Sequence, residues 1–156
     1  MNIRVYLSGE IHSDWRSGIV EACSAVPLPI SFMSPITDHG LSDRIGVEIL
    51  GEETSAFWGD HKSAKINAIR TRTMIEKADA VVVKFGEEYR QWNAAFDAGY
   101  AAAKGKPIIV LHPAGLVHPL KEVDAAAMAV AETPGQVADI LRHMVTTQDR
   151  IDSSLK

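Results

Sequence analysis

The sequence predicts a three-layer α/β/α domain built on a parallel sheet of about five strands, and three observations predict it. Short β-branched apolar runs, such as Ala80–Phe85, have the length and composition of buried strands. Stretches of helical length and composition, such as the alanine-rich Trp92–Lys104, alternate with those runs. The order strand, helix, strand with short joins implies right-handed parallel βαβ crossovers.

Taken in order, Ile3–Leu7 is an apolar run broken only by Arg4 and reads as a central strand. Ser8-Gly9-Glu10 is the turn that follows, and a glycine there lets a ligand approach the backbone closely. His12–Arg16 opens the first helix, with Ser13 or Asp14 as its cap, and Pro27 stops it after Val26. Leu28–Met33 reads as the second strand, broken by Ser34-Pro35. Thr37–Asp60 exceeds what a minimal repeat needs and reads as an excursion over the crevice, a lid or an interface, with Leu41–Leu50 helical. Trp58 within it would stack on a ligand or anchor a dimer.

Ser63–Lys77 is the next helix, with Thr71 in the middle of an apolar stripe and Arg70 and Arg72 to either side. Ala80–Phe85 follows as strand and Trp92–Lys104 as helix, with Asn93 as candidate cap. Gly105 suits the helix end, where a positive φ is needed, and Pro107 prevents continuation. Pro107–Leu111 is then a strand, Ala114–Pro119 a loop and Ala127–Val130 a short last strand. Thr133-Pro134 starts the closing helix, Gln136–Val145, and a polar tail from Thr146 to Lys156 is expected to fray. The strand count and crossovers suit a flavodoxin-like order, 2-1-3-4-5, in one domain spanning 1–156.

Composition narrows the partners. The chain of 156 residues carries a net charge of −4, which disfavours nucleic-acid polymers. A single cysteine, Cys23, excludes an internal disulfide and reads as a buried small hydrophobe. No apolar run reaches the ~18 residues of a membrane span and no signal peptide opens the chain, so a cytoplasmic setting is expected. The pairs Asp38/His39 and Asp60/His61 lack compact metal-ligand spacing, and no metal is expected.

Asp97 is the odd residue of the alanine-rich helix. In open parallel sheets ligands bind at the carboxyl ends of the strands, and a helix leaving such a strand begins at that crevice. Two readings follow: a carboxylate nucleophile or acid/base, or a first-turn acid that complements the helix dipole. Tyr6 is either a partner of that carboxylate or a core aromatic; Trp15 either stacks on a base or packs on the sheet. His12 is the histidine nearest the crevice in sequence and a possible proton donor.

The segment AAFDAGYAAAKGKPIIV resembles the signature of the nucleoside 2-deoxyribosyltransferase superfamily. Val5-Tyr6-Leu7-Ser8-Gly9 resembles its first strand and loop, and ADAVVV its third strand. GEIHSDWR, SPITDH, INAIRTRT and QWNAAFDAGYA make the chain most similar to the YtoQ branch. The resemblance implies that Asp97 is a glycosyl-accepting nucleophile, oriented by Tyr6. It implies a nucleoside or nucleotide substrate, met by Gly9, Glu10, Trp15, Arg72, Gln91 and Asn93. It also implies a homodimer in which a neighbouring subunit completes the pocket, and no metal or organic cofactor. Three positions depart from the pattern. Thr71 stands where a base-holding acid is usual, Gln91 replaces an acid that handles the leaving base, and Asp97 replaces a longer glutamate. With a carboxylate lost and two guanidinium groups gained, an anionic substrate is expected. Cleavage or exchange of an N-glycosidic bond is the expected activity; binding without turnover, or hydrolysis, are the alternatives.

Overall fold

Five strands form one parallel sheet: β1 (Ile3–Gly9), β2 (Ile30–Met33), β3 (Ala80–Lys84), β4 (Ile108–Leu111) and β5 (Ala129–Ala131). Their order is β2-β1-β3-β4-β5, as the sequence predicts. The structure, a computed structural model, describes residues 2–154, with side chains described for all of these except His39 and residues 147–154. Six helices surround the sheet: α1 (Trp15–Ser24), α2 (His39–Leu50), α3 (Ala56–Lys77), α4 (Trp92–Ala103), α5 (Val117–Ala126) and α6 (Pro134–Ser154). The tail expected to fray from Thr146 lies largely outside the described side chains, and Leu155 and Lys156 lie outside the described residues. No described helix is long and apolar enough to cross a membrane.

The alternation of side chains along each strand divides the interior into two cores. Val5, Leu7, Val82, Ile109 and Leu111 face α1 and α6, meeting Ile19, Cys23, Val137 and Leu141. Tyr6, Val81, Val83, Ile108 and Val110 face the other way, against Ile75 of α3 and Ala94, Ala98 and Ala101 of α4. Full burial of each branched side chain contributes about 1.5–3 kcal/mol. The order of connections reverses at β1 and β3, so a crevice opens between their carboxyl ends.

Local signals account for several boundaries. Thr133 Oγ1 accepts from the Gln136 amide at 3.2 Å, while Gln136 Oε1 accepts from the Thr133 and Glu132 amides, a reciprocal cap behind Pro134. Gly105 ends α4 at φ 66, and the Lys106 amide returns to the Ala101 carbonyl.

Other boundaries differ from expectation. β1 runs on through Ser8 and Gly9, because both pair with β3, at Val83 and Lys84. β2 begins at Ile30, since Pro29 has no amide to give the ladder; its carbonyl still accepts from Ile3. Gln91, not Asn93, takes the cap position of α4. The expected loop Ala114–Pro119 is a 3₁₀ turn leading into α5, whose third residue, Pro119, sits where a helix needs no amide donor. The last strand is Ala129–Ala131 rather than Ala127–Val130.

The largest difference lies in the excursion. α3 starts at Ala56, and Ser63 is a helix-crossing point inside it. Ser63 Oγ accepts from the Gly46 amide at 3.0 Å and donates to the Asp43 carbonyl at 2.6 Å. A Cβ at Gly46 would lie 2.3 Å from the Ser63 nitrogen, so glycine is what lets α2 and α3 approach. Asn67 Nδ2 adds bonds to the Ser42 carbonyl and hydroxyl. The excursion is thus α2 and the first turns of α3, locked together as a helical pair.

Candidate active site

A cleft of about 1090 Å³ opens at the carboxyl ends of β1 and β3. Its walls are α3 and α4, its floor the exit of β1 and its rim the loop before α4.

α4 forms because Trp92–Ala103 is dominated by strong helix formers, and Ala94, Ala98 and Ala101 bury one stripe. That register turns Asn93, Phe96, Asp97 and Tyr100 toward the cleft. Asp97 is the sixth residue of the helix, beyond its first turn, so the dipole reading does not describe it. Its Oδ2 accepts a 2.6 Å hydrogen bond from Ser8 Oγ. Burial pushes the Asp97 carboxyl above its ordinary range, and the Ser8 bond offsets part of that rise. The structure shows no hydrogen bond to Oδ1 from any described residue.

The carboxylate partner is therefore Ser8, not Tyr6. Ser8 lies two residues beyond Tyr6, on the same face of β1 and one step nearer the crevice. Only 1 % of Ser8 is exposed. Tyr6 is fully buried in the core below, and its hydroxyl makes no hydrogen bond. Burial, then the charge of Asp97, push the Tyr6 phenol up to about 12, while Thr71, Arg16 and Arg70 pull the other way.

The β1 exit is built as a rigid turn. Gly9 has φ 114, and a Cβ there would lie 2.1 Å from the Lys84 carbonyl oxygen; no other residue fits so close to β3. Glu10 is buried, with its carboxylate accepting from the His12 amide and, at 2.5 Å, from Ser13 Oγ. Burial alone would raise the Glu10 carboxyl, but these bonds outweigh it and hold it below its usual range. Glu10 thus shapes the loop. Trp15 does not line the cleft: it is 5 % exposed, packs in the α1 core and donates Nε1–H to the Glu10 carbonyl at 2.7 Å. Arg16 completes the turn, donating to the carbonyls of Leu7, Gly9 and Glu10. Ser8 and Arg16 were both missed by the sequence reading. The period of a strand would have found Ser8; nothing local signals the three carbonyls that Arg16 gathers.

On the facing wall, Arg70, Thr71 and Arg72 of α3 all line the cleft. The Arg72 guanidinium carbon stands 5.6 Å from the Tyr100 ring centre, a cation–π contact. Tyr100 in turn donates to Glu76 at 2.5 Å. Gln91 lies on the rim, and its amide is engaged by its own loop, accepting from Gly86 N and donating to the Glu88 carbonyl. Asn93 is exposed on the cleft wall. Tyr89, Trp92 and Phe96 expose large parts of their rings along the same wall and rim, a stacking surface the sequence reading did not single out. His12 lies on the opposite lip, its ring centre 4.5 Å from that of Tyr89. Among the described residues no three His, Cys, Asp or Glu side chains gather as a metal ion would require.

Chemically, the cleft offers a half-buried carboxylate with one oxygen held and one open, a polar floor, aromatic faces and a cationic wall. Comparison with known proteins places the fold. The structure aligns with that of a 2-deoxyribosyltransferase from Bacillus psychrosaccharolyticus at a TM-score of 0.54, with 18 % identity over 86 % of this chain and 90 % of that one. A conserved protein from Enterococcus faecalis V583 aligns at 0.64, with 13 % identity over 93 % of this chain and the whole of the other. At those identities the likeness is one of fold. In sequence, the uncharacterized protein YtoQ of Bacillus subtilis (strain 168) is 46 % identical over 148 residues, covering 95 % of this chain and all of that protein. Residues 6–145 match the family model described as nucleoside 2-deoxyribosyltransferase YtoQ, and the chain belongs to that family.

Proposed function

We propose that this protein cleaves or exchanges the N-glycosidic bond of a nucleoside or nucleotide, with Asp97 as nucleophile. The observation that carries the reading is the Asp97 carboxylate, set in the cleft wall with Oδ2 held by Ser8 and Oδ1 open. Oδ1 attacks the anomeric carbon as the base departs, through an oxocarbenium-like transition state. The glycosyl ester then passes to a second base or to water, the two-step logic of retaining glycosidases. Tyr6 lies buried beneath the Asp97 carboxylate, in the core under the cleft floor, and Ser8 rather than Tyr6 orients it. Gly9 and Asn93 border the sugar position, Arg72 and Gln91 the leaving group, and Phe96 or Trp92 offers a face to the base. No step calls on a cofactor.

The test is incubation with a panel of 2′-deoxynucleosides, ribonucleosides and their 5′-monophosphates, with Asp97→Asn as control. Base release or exchange that the substitution abolishes is the expected result. A binding-only reading draws on Gln91, whose amide is committed to Gly86 and Glu88 rather than turned to a ligand. Tight binding without turnover in the same panel would establish it. Association of two copies belongs to the proposal: Phe57 and Trp58 are exposed on α3 and form an aromatic cluster with His61. Sedimentation as a monomer at micromolar concentration would exclude it.

A further inference from the structure

The α3 wall opposite Asp97 presents cations to the cleft, and its nearest carboxyl, Glu76, is held below the usual carboxylate range by Tyr100 and Lys104. Arg70, Thr71 and Arg72 line the same cleft as Asp97. Arg72 stands over Tyr100, one turn past Asp97 on α4. Among the described residues neither Arg70 nor Arg72 forms a salt bridge. Asp43 and Asp60 also line the cleft, but at its far end. Asp60 lies eleven residues before Thr71 on α3, about 16 Å along the axis at 1.5 Å per residue. The backbone of Asp43 meets Ser63, about 12 Å from Thr71 on the same scale. Glu10 is held ionised by Ser13 and the His12 amide.

We propose that this site is selective for nucleosides whose base is an N–H acid, and that the base leaves as an anion paired with Arg72 and Arg70. The inference rests on the glycosyl-transfer reading and names its substrate class. Asp97 Oδ1 forms a bond to C1′ while the C1′–N bond breaks. The electron pair leaves with the base nitrogen, so one negative charge passes from carboxylate to base and no proton moves. In the second step an acceptor nitrogen, or water, takes C1′ and frees the carboxylate; the proton of water goes to the base anion or to solvent. A weakly acidic base such as cytosine needs a proton as it departs, and this wall has none to give; His12, which could supply one, lies on the opposite lip against Tyr89. A planar, permanently charged guanidinium suits a delocalised base anion.

Two measurements test this together. Base release is followed for the 2′-deoxynucleosides of xanthine, 5-fluorouracil, uracil, thymine, cytosine and adenine, with wild type, Arg72→Gln and Arg72→Lys. Calorimetry follows the binding of free xanthine and free cytosine to the same proteins. Release should fall in the order of decreasing base acidity. Arg72→Gln should slow the acidic members on the order of 10²-fold, and Arg72→Lys should recover part of that loss. Xanthine should bind more tightly than cytosine, and only with Arg72 present. Release of cytosine as fast as xanthine, or equal slowing of all bases by Arg72→Gln, overturns the selectivity and leaves glycosyl transfer standing. Arg72-dependent xanthine binding with no release from any nucleoside does the reverse. Neither release nor binding overturns both.

Discussion

Ser8→Ala should move the ionisation of Asp97 and the pH at which the protein works. The 2.6 Å bond from Ser8 Oγ is the one hydrogen bond the structure gives the carboxylate, and it opposes a rise caused by burial. A hydrogen bond to a charged group contributes about 1.5–3 kcal/mol. At about 1.4 kcal/mol per pKa unit, its loss raises Asp97 by roughly one to two units. In the proposed reaction the nucleophile is the ionised form, so the acid limb of log(kcat/KM) for base release should shift to higher pH by that amount, with a smaller effect above it. The same shift has a stability sign. The folded Asp97 carboxyl already lies above its unfolded value, so the folded state holds the proton longer, and stability falls as pH rises from about 4, the unfolded value, through the folded one. Ser8→Ala should extend that loss to higher pH. A ¹³C-carboxyl titration by NMR reads the shift directly and needs no substrate. An Asp97 titration unchanged in the variant would refute the claim that Ser8 tunes this acid.

Tyr6→Phe removes a buried hydroxyl that has no hydrogen bond, and should stabilise the protein by about 1–3 kcal/mol in urea unfolding. A less stable variant would mean that the hydroxyl is satisfied in solution. Gly9→Ala places a Cβ 2.1 Å from the Lys84 carbonyl at a φ of 114, and should cost about 3 kcal/mol or more on the same measure. A shift within 0.5 kcal/mol, the range of ordinary surface changes, would contradict the close packing of β1 on β3.

Much of the architecture is legible in local patterns. The valine run of β3, the Thr133-Pro134 start and Gly105 each state an element or its end within a few residues. Asp97 also stands out locally, as an acid in an alanine helix at a crevice. What escaped depends on distant residues. Ser8 gains its role only from α4, and a serine after a strand is unremarkable until Tyr6 fixes which face it shares. Trp15 looks like a ligand platform until α6 and β1 close over it. Phe57-Trp58-Gly59 falls in the excursion, before the helix start expected at Ser63, because glycine and aromatic residues are weak helix formers on their own. Pairing with α2 overrides that preference, with Gly59 resting 3.6 Å from Val47.

The two oxygens that meet in the cleft, Ser8 Oγ and Asp97 Oδ2, belong to segments 89 positions apart. They are joined only after β3 has inserted beside β1 and α4 has docked on both. Neither a truncated chain lacking α4 nor a half-assembled folding species can hold the pair. The pair is thus a certificate of completed assembly, and a partly folded chain cannot present the proposed nucleophile.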